Sequence, residues 1–199
     1  LIIGILIFMY VSKINKVIYI DPGHGGPDSG AIYKDIYEKD INLDISYELK
    51  NELENKGATV YMTRYDDYDL SYIDARFRKK SDLSNRVKII NESNADMYLS
   101  IHLNSIESSK WKGIQIFYDD INEENNVIAN KINNKLDSDR DVSIIGDKYM
   151  YKRVKVPGVL VELGFLSNSE DREYLLNEDK RSDIIKNIVD GIIEYYNNC

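Results

Sequence analysis

From Lys16 onward, short runs of β-branched and aromatic residues alternate with longer stretches of helical period, a pattern that predicts a parallel sheet with helices on its faces. The runs that read as strands are Val17 to Asp21, Ala58 to Thr63, Met97 to His102, Ile114 to Tyr118, Tyr149 to Lys152 and Val159 to Leu163. Helical spacing is strongest at Ile41, Ile45, Leu49 and Leu53, with Asp44, Glu48 and Glu52 on another face and Gly57 placed to end the helix. Further amphipathic helices are expected over about Leu83 to Asn91, about Glu123 to Leu136 with Val127, Ile128, Ile132 and Leu136 as its stripe, and about Asp183 to Tyr196. No repeat, low-complexity tract or linker divides the chain. The expectation is a single α/β domain: a twisted, mostly parallel sheet of about six strands flanked by helices.

One stretch stands outside that pattern. Leu1 to Val11 is an uncharged apolar run, shorter than the roughly 20 residues that span a bilayer. Because the sequence opens on Leu rather than Met, a basic segment is expected ahead of it, which makes residues 1–13 the tail of an export signal or membrane anchor; the competing reading is a buried first element. Val11-Ser12-Lys13-Ile14 lacks the small pair of an A-x-A cleavage site, which favours an anchor over a cleaved leader.

Composition narrows the function. In 199 residues, 43% are hydrophobic and 30% charged, enough for one well-buried core and incompatible with a disordered chain. Lys and Arg total 26 against 34 Asp and Glu, a net charge of -8, so nucleic acid is not expected as a partner. One cysteine excludes an intramolecular disulfide.

The chain has two histidines, and each falls at or just past the carboxyl end of a predicted strand: His24 in Asp21-Pro22-Gly23-His24-Gly25-Gly26, and His102 in Ser100-Ile101-His102-Leu103-Asn104-Ser105. Ligands of open α/β sheets bind at that edge. A third run, Val159 to Gly164, carries Glu162 in an apolar context, which is costly unless a cation, a metal or cleft water faces it. Each residue singly is more often a satisfied hydrogen-bonding group, but three at one rim favour a site. Two imidazoles, an oxygen ligand and an open position describe a catalytic zinc. Spacing alone leaves Asp28, Asp35, Glu38 and Asp40 open as the oxygen donor, although Glu38 opens the long helix and can reach back to the rim. Glycines 23, 25, 26 and 30 would let the loop turn tightly. A phosphate cradle is disfavoured, because neither G-x-G-x-x-G nor G-x-x-x-x-G-K-[ST] occurs.

Val17 to Gly30, Glu38 to Leu43, Ser100 to Ser105 and Val161 to Asn168 together resemble the four ordered motifs of the zinc-dependent N-acetylmuramoyl-L-alanine amidases of the amidase 3 type. The resemblance covers nearly the whole chain after Lys16, so residues 14–199 are expected to be the catalytic domain. It implies His24, Glu38 and His102 as zinc ligands, Glu162 as the catalytic carboxylate that takes a proton from water and returns it to the leaving amine, and peptidoglycan glycan strands with stem peptides as substrate. Arg64 and Arg86 fall where relatives have arginines; loop and helix packing is expected of them before substrate contact. Leu103 departs from the family's usual small residue and is expected to narrow the groove. Lacking wall-binding repeats, the chain looks most like the short CwlD-type amidases that act in spore-cortex maturation for germination. That likeness implies an exported protein, secreted or anchored on the extracytoplasmic face or in the forespore intermembrane space. Between Tyr118 and Tyr149 there is room for a helix and a short loop but not for a covering insertion, so control is expected from an accessory spore or envelope protein. For an acidic protein on an anionic wall, hydrogen bonds and stacking are expected to replace charge, with Tyr61 to Tyr72 as candidates, although packing is the commoner use of tyrosine. The alternatives are a zinc peptidase cutting within the stem peptide and a non-catalytic wall-binding or assembly protein on the same fold.

Overall fold

The structure is a computed structural model that describes residues 13–104, 106–146 and 149–197. The apolar run Leu1 to Val11 lies outside the described residues. The elements in chain order are β1 (Val17–Pro22), the small hairpin β2 (Ile32–Tyr33) and β3 (Ile36–Tyr37), α1 (Glu38–Asn55), β4 (Thr59–Met62), α2 (Arg78–Glu92), β5 (Met97–Asn104), β6 (Gln115–Tyr118), α3 (Glu123–Leu136), β7 (Ser143–Ile144), a 3-10 turn at Tyr151–Arg153, β8 (Gly158–Phe165), α4 (Ser169–Leu176) and α5 (Glu178–Asn197). The main sheet has six strands in the order β4-β1-β5-β8-β6-β7. All neighbours are parallel except β6 and β8, which pair antiparallel.

β5 and β8 occupy the middle of the sheet and are covered on both sides, which is why they read as near-continuous apolar runs. Their alternation divides the molecule. Leu99, Ile101 and Leu103 of β5, with Val159, Val161 and Leu163 of β8, enter the main core beneath α1, α3 and α5. Tyr98 and Leu160 point the other way, into a smaller core with Ile90 of α2, Met150, Tyr151 and Val154. Ser100, His102 and Glu162 follow the same parity and emerge at this thinner side, next to α2. α1 stops as its sequence foretells: Gly57 is left-handed at φ 87°, its N–H meets Glu54 O at 2.9 Å, and the Ala58 N–H meets Leu53 O at 3.1 Å.

Four elements differ from the pattern-based expectation; one is α5, which begins at Glu178 rather than about Asp183 because its first turn buries only Arg181 and shows no apolar period. Tyr149 to Lys152 is not a strand but leads into the 3-10 turn; its apolar side chains fill the smaller core under α2 instead of pairing, and the sixth strand is Ser143–Ile144, too short to show a period. α2 begins at Arg78, because its first turn buries no apolar residue and so carries no amphipathic signal. α4 buries only Leu175, which hides it from periodicity; Asn168 starts it by accepting from the N–H groups of Glu170 and Asp171. No helix among the described residues is long and apolar enough to cross a membrane.

Candidate active site

The loop after β1 delivers His24, the first turn of α1 delivers Glu38, and the end of β5 delivers His102. One ligating atom from each lies within 4.8 Å of the others. Glu38 Oε1 is 3.2 Å from His24 Nε2 and 3.1 Å from His102 Nδ1, and the two imidazole rings meet edge-on with centroids 4.9 Å apart. Of the acidic candidates near His24, Glu38 alone enters this cluster. Asp35 and Asp40 are exposed, while Asp28 Oδ1 stands 3.0 Å from the other ring nitrogen of His24 without hydrogen-bond alignment.

Glu38 is 2% exposed and held on every side. Its Oε2 accepts from the Ala31 N–H at 2.8 Å, and its Oε1 accepts from the Leu103 N–H at 2.9 Å and from Asn42 Nδ2 at 3.3 Å. Asn42 sits one turn along α1, so the Glu-x-x-x-Asn spacing was a signal that sequence reasoning passed over. Leu103 borders the cavity, but strand alternation sends its side chain into the main core; its bulk does not narrow the groove, and its backbone serves Glu38 instead.

The loop bearing His24 is strained and clamped. His24 has φ 61°, a conformation costing roughly 1–2 kcal/mol for a residue with a Cβ. Arg86 and Arg64, each 1% exposed, hold it there. Arg86 donates to His24 O at 2.6 Å, Pro22 O at 2.7 Å, Asp21 Oδ1 at 2.8 Å and Asp82 Oδ2 at 2.9 Å. Arg64 donates to Pro22 O and Gly23 O, both at 3.0 Å, and to Lys39 O at 2.7 Å. Both arginines are therefore spent on loop packing, as expected. Asp21, which also accepts from Thr63 Oγ1 at 2.6 Å and Ser100 Oγ at 2.9 Å, was missed, although a carboxylate closing an apolar strand carries the same signal as Glu162.

Electrostatics follow from this crowding. Burial works against a charged His24, but contact with Asp28 and Glu38 outweighs it and raises the imidazole from 6.5 to about 9. Burial likewise opposes ionisation of Glu38, yet His102 and His24 pull it well below the usual carboxylate range. Beside His24, Asp28 is also held low. Asp21 is kept low against its burial by Arg86 and Thr63.

In front of the cluster is a cavity of about 650 Å³ whose wall includes Glu162, Arg86, Tyr149, Met150 and Tyr151. Tyr61, Tyr65, Tyr68 and Tyr72 are exposed but do not line it; Tyr149 and Tyr151 do. Two glycines are cut to the donors. A Cβ on Gly23 would lie 2.2 Å from the His102 ring, and one on Gly30 would lie 2.5 Å from Glu38 Oε2 and 2.7 Å from His24 Cδ2. Two imidazoles and one carboxylate opening on a cavity are the donors of a catalytic zinc centre, and these residues fit such an ion.

Residues 18–194 match the family model described as N-acetylmuramoyl-L-alanine amidase. The germination-specific N-acetylmuramoyl-L-alanine amidase of Bacillus subtilis is 40% identical over 189 residues, covering 91% of this chain and 80% of that protein. The structure of the CwlD amidase from Clostridioides difficile in complex with the GerS lipoprotein superimposes with a TM-score of 0.88 at 37% identity, covering 93% of this chain and 100% of the other. The catalytic domain of CwlV, an N-acetylmuramoyl-L-alanine amidase from Bacillus (Paenibacillus) polymyxa var. colistinus, gives 0.78 at 30% identity over 92% and 98% of the two chains.

Proposed function

The chain belongs to the N-acetylmuramoyl-L-alanine amidase family and is a peptidoglycan amidase of that type, and we propose that it hydrolyses the amide joining the lactyl group of N-acetylmuramic acid to L-alanine with zinc held by His24, Glu38 and His102 and with Glu162 as its general base. The observation that carries this reading is the convergence of three ligating atoms within 4.8 Å at the floor of a cavity that Glu162 also lines.

A zinc ion held by His24, Glu38 and His102 would supply Lewis acidity toward the scissile carbonyl and lower the pKa of water to about 7. The protein's own groups do the rest. Arg86 and Arg64 fix the His24 loop, and the N–H groups of Ala31 and Leu103 aim the Glu38 carboxylate, so the donor set is organised before substrate arrives. The Glu162 carboxylate takes the proton from the attacking water and hands it to the departing nitrogen of L-alanine, leaving a lactyl carboxylate on the glycan and a free amino terminus on the peptide. Tyr149, Met150 and Tyr151 form part of the cavity wall around that exchange.

We place the activity in spore-cortex maturation needed for germination; the 40% identity to a relative described as germination-specific and the close fit to a CwlD structure support it. That CwlD is in complex with a lipoprotein, which supports an accessory envelope protein as partner here. A peptidoglycan substrate requires action outside the cytoplasm, with residues 1–13 as export signal or anchor. Mass spectrometry of peptidoglycan digested by zinc-loaded protein tests the reading: new L-alanine amino termini are expected, whereas cleavage only between amino acids of the stem would replace it with the peptidase alternative.

A further inference from the structure

A second groove, of about 540 Å³, continues from the active-site cavity and shares Lys79, Leu83 and Tyr149 with it; Phe77, Arg78 and Lys80 complete its wall. Its lining is mostly apolar, made by Phe77, Leu83, Tyr149 and the stems of the basic residues, while the charge at its rim runs against that of the protein. In a chain of net charge -8, Arg76-Phe77-Arg78-Lys79-Lys80 sets four cations within five residues. Arg78 is committed to Asp69 through hydrogen bonds of 2.8 and 2.9 Å. Lys79 is 72% exposed at its side chain and reaches Asp28 only at 3.8 Å. Among the described residues, the Lys80 ammonium has no carboxylate partner and lies 5.9 Å from the Tyr149 ring, whose other cationic neighbour is Arg153 at 3.9 Å. Arg78, Lys79 and Lys80 also open α2, which has no acidic residue in its first turn and no side-chain cap. Positive charge there opposes the helix dipole. A sequence that accepts such a local conflict beside its active site has a use for the charge.

Substrate chemistry supplies that use. The scissile amide consumes the amino terminus of the stem peptide, so on the amine side the substrate is a peptide whose carboxylates lack that compensating charge. On the other side it is a lactyl ether on an uncharged sugar. We propose that the Phe77–Lys80 groove is the stem-peptide subsite, with Lys79 and Lys80 binding the peptide's free carboxylates and the Tyr149 and Phe77 rings covering its backbone. The inference rests on the amidase reading and sets the peptide's direction, along the start of α2.

The test uses zinc-loaded full chain and two soluble N-acetylmuramoyl peptides, one with free peptide carboxylates and one with the same groups as carboxamides. The wild-type KM should be about tenfold lower for the acid, the scale of one or two exposed ion pairs, and this preference should shrink with added salt. In a Lys79→Gln, Lys80→Gln variant the acid-to-amide ratio should fall towards one, and Lys79→Glu should reverse it. Lys88→Gln, exposed farther along α2, should keep the wild-type ratio. Equal KM values in the wild type, or an unchanged ratio in the double variant, would overturn the subsite while leaving the amidase reading intact. Loss of binding to anionic phospholipid vesicles in the double variant with an unchanged ratio would likewise overturn it and assign the lysines to a membrane. Failure of the wild type to cut either compound would overturn the amidase reading and the subsite together.

Discussion

His102 and Glu162 are register partners on the adjacent parallel strands β5 and β8, so a ligand candidate and the carboxylate proposed as base project from the same rung of the sheet. Parallel pairing of two central strands thus fixes their separation through backbone hydrogen bonds rather than through loops. These two side chains are held by central strands, whereas His24 comes from a loop and Glu38 from the first turn of α1.

Glu162→Gln should lower turnover by about 10² to 10⁴, the usual contribution of a general base, because the amide preserves shape but cannot take the proton. Zinc content and melting temperature should stay near wild type. A large fall in melting temperature together with the lost activity would instead mark Glu162 as structural.

His24→Ala and His102→Ala should each abolish stoichiometric zinc, since two protein donors bind far more weakly than three. Elemental analysis of the purified variants reads the outcome directly. Full zinc in either variant would remove that residue from the ligand set.

Gly23→Ala places a methyl group 2.2 Å from the His102 ring and should push the imidazole off its position. Zinc affinity measured by chelator competition should weaken roughly 10- to 100-fold, as when the support of a ligand is lost, while circular dichroism remains native. Gly146→Ala, where a Cβ meets nothing within 4 Å, is the control.

Zinc binding should release a proton at pH 7. In the metal-free protein His24 is raised to about 9 and so is protonated, whereas a ligand imidazole must be neutral. Affinity should therefore climb by up to about tenfold per pH unit from pH 7 and level off above pH 9. Calorimetry in two buffers of different ionisation enthalpy measures the proton count; none released would show that His24 is already neutral.

Asp21→Asn should destabilise the fold by about 3–5 kcal/mol by leaving Arg86 buried without its full partner. Because the folded pKa of Asp21 lies below its ordinary 3.8, its stabilisation is present above about pH 4 and fades as pH falls through the folded value. Urea denaturation at pH 7, 5 and 3 should show a stability loss below pH 4 that is smaller in the variant.

The order of elements was legible because each kind of element leaves its own period. β1, β4, β5, β6 and β8 lie within a residue or two of the runs that predicted them, and α3 spans Glu123–Leu136 as predicted, although Val127 of its expected stripe faces solvent and Ala129 packs with Ile128 and Ile132 instead. The convergence of His24, His102 and Glu162 at one rim was also legible, since strand ends are local features. What escaped had no local signature. The turn through Met150 and Tyr151 read as a strand because burial, not pairing, demands its apolar residues, and the antiparallel course of β6 lies in its partner rather than in its own residues.

By itself, then, the sequence determined the α/β class, the single domain and which side chains are exceptional in an apolar setting, because those depend on short-range periodicity and on the cost of burying charge. The tertiary structure decided which exceptional side chains meet: Glu38 rather than Asp28, Asp35 or Asp40 beside the histidines, both arginines turned inward, and the contiguous basic run Arg76 to Lys80 set next to the active-site cavity despite a net charge of -8. A net charge is a sum over the whole chain, whereas a substrate meets only the charges that folding brings to one surface.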